Sequence, residues 1–173
     1  MSDGAAAGAR PGGGDAPDGL THLRADGTAH MVDVTAKEVT ARSASAAGTV
    51  LLSPVAVEAL RGGTVPKGDA IGVARIAGIQ AAKRTPDLVP LCHPIAIHCV
   101  EVDLQVHDRG VDIAATVRTA DRTGIEMEAL TAVSVAALAL IDMVKAVDKL
   151  ATVTDVRVTA KSGGRSGDWA RPA

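Results

Sequence analysis

Residues 100–117 constrain the fold of this chain more than any other segment. Val100, Val102, Leu104 and Val106 alternate with Glu101, Asp103, Gln105 and His107, Asp108-Arg109-Gly110 turns the chain, and Val111, Ile113, Ala115 and Val117 resume the alternation. A period of two puts the two sets of side chains on opposite faces, so the segment reads as an antiparallel hairpin with one apolar and one polar face. The apolar face has to be covered by other elements, which limits the fold to layered architectures with a sheet.

The flanking sequence supplies those elements. The stretch from Val39 to Leu52 is rich in Thr, Ser and Val and reads as a strand. Ser53-Pro54 is an N-cap followed by a first-turn proline, opening a short helix that Gly62-Gly63 stops. Asp69 can cap a helix from about Ala70 to Arg84, with Ile71, Ala74, Ala77 or Gly78, and Ala81 on one face and Pro86 ending it. Thr123-x-x-Glu126 has capping-box spacing and opens a helical stretch running to about Leu150, and a last strand spans roughly Thr152 to Val158. The order β, α, α, β, β, α, β predicts an α+β fold, a ferredoxin-like sandwich with helices covering an antiparallel sheet.

The core of such a sandwich has to be built without Phe or Tyr and with Trp169 as the single tryptophan, so Val, Leu, Ile and many Ala fill it. Alanine buries little apolar area at ~25 cal/mol per Å², and association between copies would add to stability. A net charge of −2 gives no basic field, and the missing aromatics remove the platforms on which bases stack, which argues against a nucleic-acid binder. Cys92 and Cys99 are too few for a disulfide framework and suit a reducing cytoplasm. The Gly-, Ala-, Pro- and Asp-rich residues 1–19 hold no apolar run and read as a disordered tail. The apolar stretch from Ala132 to Ile141 is too short to span a membrane. The expected organisation is a tail over 1–19, one domain over 20–160 and a glycine-rich C-terminal loop or tail over 161–173.

Several residues could carry chemistry, each with an ordinary alternative. Lys67 sits in Pro66-Lys67-Gly68-Asp69, a turn that would present its ammonium to a phosphate or leave it solvated. His93 precedes Pro94, which holds it in extended chain, suited either to proton transfer or to a hydrogen bond within the core. Cys92-His93 and His98-Cys99 form a symmetrical pair, but adjacent residues of extended chain point to opposite faces, so four zinc ligands converge badly there and no metal site is expected. Asp142 and Lys145, three apart on the long helix, share a face as a catalytic couple or as an exposed ion pair. Glu128 and Asp142 lie fourteen residues apart on that helix, about 21 Å, too far for one small substrate to touch both. If both serve a site, one copy's helix start pairs with another copy's helix end. The run from Lys161 to Gly167 resembles a basic loop whose N–H groups could gather around an anion, with a disordered tail as the alternative.

Together these segments resemble the MoaC family. The resemblance spans about Leu20 to Trp169 and rests on LTHL with GTAHMVDV over 20–34, KGD at 67–69, ARIAGIQAAKRTPDLVPLCHP at 74–94, TGIEMEALTAVSVAALALIDMVKAV at 123–147 and AKSGGRSGD at 160–168. It implies a phosphorus–oxygen lyase of molybdenum-cofactor biosynthesis that converts (8S)-3',8-cyclo-7,8-dihydroguanosine 5'-triphosphate to cyclic pyranopterin monophosphate and releases pyrophosphate. It implies Lys67, His93, Glu126, Asp142 and Lys145 as the catalytic set, and Leu91, Cys92, His93, Met127 and Glu128 as substrate contacts. Lys161 is implied as a further triphosphate or catalytic contact, while His98 and Cys99 lie outside the matching segments. The resemblance also implies a hexamer, a trimer of dimers with sites between subunits, and a radical SAM cyclase as the supplier of the intermediate. No cofactor is required by the residues themselves, although magnesium could accompany the triphosphate. The competing readings are a nucleotide-binding module without turnover and a purely structural assembly protein.

Overall fold

The computed structural model describes residues 26–172 of the 173. The expected tail over 1–19 and the segment Leu20-Thr21-His22-Leu23 lie outside the described residues. The described residues fall into two units, 26–33 and 34–172. In the first, the Asp26 carboxylate accepts from the backbone N–H (3.0 Å) and the hydroxyl (2.6 Å) of Thr28, and Gly27 supplies a positive φ of 81°.

The second unit carries nine elements: β1 (Thr40–Leu51), α1 (Pro54–Arg61), α2 (Ala70–Ala82), α3 (Thr85–Leu88), β2 (Ile97–His107), β3 (Gly110–Asp121), α4 (Glu126–Val144), β4 (Thr152–Ser162) and β5 (Trp169–Ala170). They form one antiparallel sheet in the order β2-β3-β1-β4-β5. Without the two-residue β5, this is the βαββαβ connectivity and strand order of a ferredoxin-like α+β sandwich, as the sequence predicts. The hairpin falls where alternation places it, Val106 facing Val111 and Val100 facing Val117. Val102, Val111, Ile113, Ala115 and Val117 are buried under the helices, while Glu101, Asp103, Gln105 and Asp112 are exposed on the other face.

The helices lie close because their contacts are small. A Cβ on Gly78 of α2 would stand 2.8 Å from the Ala132 carbonyl oxygen of α4, so only glycine permits that approach. Ten residues of α4 are buried, among them Ala129, Ala132, Ala136 and Leu140. By length and composition α4 could cross a membrane, but more than half of it is packed inside this unit.

Four local expectations need correction. Thr123 and Glu126 do not form a capping box: α4 starts at Glu126 after Ile125, with no side-chain cap, and the Glu126 carboxylate is engaged elsewhere. The helix ends at Val144 rather than near Leu150, because Asp148 leaves it to accept from the N–H groups of Ser53 (2.6 Å) and Leu150 (2.9 Å), tying the turn to the start of α1. Pro86 does more than end α2: it lies in the first turn of the extra helix α3. The last strand runs four residues past Val158, to Ser162, and the glycine-rich residues beyond it turn the chain into β5.

Candidate active site

The lysine of the 66–69 turn meets the far end of α4. Gly68 closes the turn with a φ of 93° and donates its N–H to the Val65 carbonyl (2.9 Å), which presents Lys67 on the surface. Lys67 Nζ donates to Asp142 Oδ2 at 2.6 Å, and Lys145 Nζ lies 2.7 Å from the other carboxylate oxygen. One carboxylate thus bridges two ammonium groups, and all three side chains are roughly half exposed. Hydrogen bonds from Lys145 and then Lys67 hold the Asp142 carboxyl down at about 2. Such a cluster keeps two cations at the surface in a fixed geometry, as binding an anion or delivering a proton requires.

The near end of α4 is built differently. Glu126 folds back over Gly124, where any side chain would collide with its carboxylate, and Glu126 Oε1 lies 3.3 Å from Lys161 Nζ. Lys161, on β4 opposite Ala44 of β1, also donates to Ser166 Oγ at 2.9 Å. Two residues on, Glu128 is only 2% exposed. Burial, and to a lesser extent the neighbouring Glu126 charge, raises its carboxyl to about 7. Its charge is felt by Cys92, whose thiol is pushed up first by burial and then by Glu128. That interaction brings the 91–93 segment to this end of the helix, with Leu91 exposed, Cys92 and His93 half-buried, and Met127 exposed beside Glu128.

The ten residues singled out from the sequence therefore fall into two groups. Lys67, Asp142 and Lys145 stand at the C-terminal end of α4; Leu91, Cys92, His93, Glu126, Met127, Glu128 and Lys161 gather at its N-terminal end. Between Glu126 and Asp142 the helix is unbroken, about 24 Å of rise. His98 and Cys99 join neither group: His98 Nδ1 pairs with Thr119 Oγ1 (3.3 Å), and the Cys99 thiol sits beside Glu101 and Arg118 on the sheet.

Two cavities adjoin the N-terminal group. The smaller, about 120 Å³, is bounded by Arg42, Gly124, Glu126, Lys161 and Ser166 among others. The larger, about 560 Å³, shares Arg42, Gly124 and Ser166 with it and adds Lys37, Arg122 and Arg165. Sequence reading singled out the loop that carries Arg165 but missed Lys37, Arg42 and Arg122. Lys37 and Arg42 lie about eighty residues before Arg122, and the pairing of β1 with β3 brings them together.

Comparisons with known proteins agree with the resemblance in the sequence. The MoaC family profile matches residues 31–164. The chain is 65% identical over 159 residues to a cyclic pyranopterin monophosphate synthase of Streptomyces coelicolor, covering 92% of this chain and 94% of the relative. It is 64% identical over 161 residues to a protein of the same name from a Nocardioides species (91% and 99% covered), and 56% identical over 150 residues to one from Corynebacterium glutamicum (87% and 96% covered).

Proposed function

The chain belongs to the MoaC family and is a lyase of molybdenum-cofactor biosynthesis that forms cyclic pyranopterin monophosphate from a GTP-derived substrate; we propose that its active site is assembled between copies of the chain. The observation that carries this reading is the unbroken α4 helix, which holds the two groups of site residues about 24 Å apart within one copy. The N-terminal group of one copy facing the Lys67–Asp142–Lys145 cluster of a second makes a complete site. A hexamer built as a trimer of dimers repeats that contact, and the core of small side chains gains stability from the added burial.

The reaction requires protons moved in both directions while rings of the purine-derived skeleton open and close. Closing the cyclic phosphate forms a new oxygen–phosphorus bond at the α-phosphorus and breaks the bond to the pyrophosphate leaving group; the attacking hydroxyl gives up its proton. We assign proton transfer to the Lys67–Asp142–Lys145 cluster. A carboxylate held at about 2 is a weak resting base, so the lysines are its acids. Asp142 accepts a proton once the substrate's phosphates have drawn a lysine away. His93 and Glu126 orient the base end, with Leu91, Cys92, Met127 and Glu128 lining it and Lys161 reaching the phosphates. Magnesium, where it accompanies the substrate, would be held by the triphosphate oxygens with few protein ligands and would offset their charge. The free thiols of Cys92 and Cys99 suit a reducing cytoplasm, where a radical SAM cyclase would hand over its product, by transient docking or by diffusion.

The test is direct. Purified chain is incubated with the cyclised dihydro-GTP, and released pyrophosphate and the fluorescence of the oxidised pterin are followed. Stoichiometric appearance of both is expected; intact oligomers without turnover would leave only a binding module.

A further inference from the structure

Two carboxylates are buried among the described residues, Glu128 and Asp148, and the reaction as assigned above uses only the first. Asp148 is 6% exposed, and no lysine, arginine or histidine lies within ion-pair distance of it among the described residues. Its partners are backbone: Oδ2 accepts from the Ser53 N–H at 2.6 Å and Oδ1 from the Leu150 N–H at 2.9 Å. Those bonds, the one to Ser53 foremost, hold its carboxyl below the usual carboxylate range, so it is an anion at neutral pH. Burying an anion away from any cation is costly, and glycine or asparagine ends a helix without that cost. What the carboxylate joins is therefore the informative part.

It joins the two segments that carry the lysines of the surface cluster. Lys145 is the C-cap of α4, its N–H on the Ile141 carbonyl (2.8 Å), and Asp148 stands three positions further on. Between them the chain is held by Val144, whose carbonyl accepts from the N–H groups of Val147 (2.8 Å) and Asp148 (3.0 Å). The Leu150 bond fixes the orientation of the carboxylate, and the Ser53 bond reaches across to the start of α1. Ser53 caps that helix. At its far end the Thr64 N–H bonds the Ala59 carbonyl (2.9 Å), and buried Val65 leads into the turn that presents Lys67. Both lysine side chains are roughly half exposed, so their ammonium groups are placed by the backbone beneath them rather than by packing around them.

We propose that Asp148 is a positioning residue of the reaction: by tying the start of α1 to the exit of α4, its carboxylate sets the spacing at which Lys67 and Lys145 meet the two oxygens of Asp142. The proposal rests on the assignment of proton transfer to that cluster. Proton transfer needs donor and acceptor within hydrogen-bond reach, and a displacement of about 1 Å costs up to about a hundredfold in rate.

The experiment follows pyrophosphate release from the cyclised dihydro-GTP, and unfolding in urea, for the full-length chain and for Asp148→Asn, Asp148→Glu, Asp142→Asn and Ile113→Val. Asparagine keeps the shape of Asp148 but can accept from only one of the two N–H groups. Ile113 is buried in the middle of β3, opposite Gly48 and Leu104, so its variant reports lost stability alone. Asp148→Asn should lower kcat about tenfold with KM within about threefold of the parent, whereas Ile113→Val should lower the urea midpoint and leave both constants within about twofold. Asp148→Glu keeps the anion on a longer arm and should also lower kcat; the same outcomes are read from it where Asp148→Asn does not assemble. Parental kcat and KM in the assembled Asp148 variants, with only the urea midpoint lowered, would overturn the positioning role. Asp142→Asn separates this from the reading beneath it. Full release in that variant removes the cluster from proton transfer, whereas an inactive Asp142→Asn beside fully active Asp148 variants sinks the positioning role alone.

Discussion

Asp142 and Glu128 are two carboxyl groups on one helix, and their surroundings drive them in opposite directions. Asp142 is half exposed between two lysines, which hold it at about 2. Glu128, fourteen residues earlier, is buried with no cation paired to it among the described residues, and burial lifts it to about 7. Near neutral pH the first is always charged, while the second is divided between its two forms. The same residue chemistry therefore yields a permanent anion that organises cations at one end of α4 and a titrating group at the other.

The sharpest way to break this contrast is to remove the permanent anion. Asp142→Asn keeps the shape of the side chain but releases both lysines, and kcat for pyrophosphate release should fall about a thousandfold. Retention of full release would remove Asp142 from proton transfer. A second experiment asks whether the two ends of α4 serve one site. Glu126→Gln and Asp142→Asn are each expected to be inactive or nearly so. If a site draws Glu126 from one copy and Asp142 from another, unfolding and refolding the two variants together at equal concentration should restore about a quarter of the parental activity. Mixtures no more active than the variants alone would place both groups in one copy's site.

The contrast was only partly legible in the sequence. The hairpin of 100–117 announced itself because alternation is a local signal, and Ser53 and Asp69 were found as caps because capping acts within three residues. Asp142 and Lys145 could be paired by helix spacing, but the second lysine on that carboxylate comes from position 67, and no periodic rule links it to position 142. Glu126 misled for the same reason: capping-box spacing is local, yet the carboxylate turns to Lys161, thirty-five residues on, across β4. The burial of Glu128 was also invisible, because a helix flanked by α2 on one side and the sheet on the other is apolar nearly all round and its sequence marks no single inner face.

The smallest effect expected is on stability, and it isolates Glu128. Its folded-state carboxyl, at about 7, lies above its ordinary value of 4.5, so the folded chain keeps a proton that the unfolded chain has already lost. Stability on this account is greatest below about pH 4.5, falls as pH rises toward 7, and levels off above it, a change of roughly 3 kcal/mol across the window. Asp142 does not confuse the measurement, because its depressed value moves its own contribution to the acid side: present above 3.8 and lost only as pH falls toward about 2. Glu128→Gln carries a neutral amide at every pH. Urea unfolding at one fixed protein concentration, followed from pH 5 to pH 8, should show the decline in the parent and its absence in the variant. An inflection near pH 7 in kcat/KM should disappear with it. If the variant declines with the same slope as the parent, the titrating group on this helix is not Glu128, and the difference between the two ends of α4 reduces to the exposed ion pairs alone.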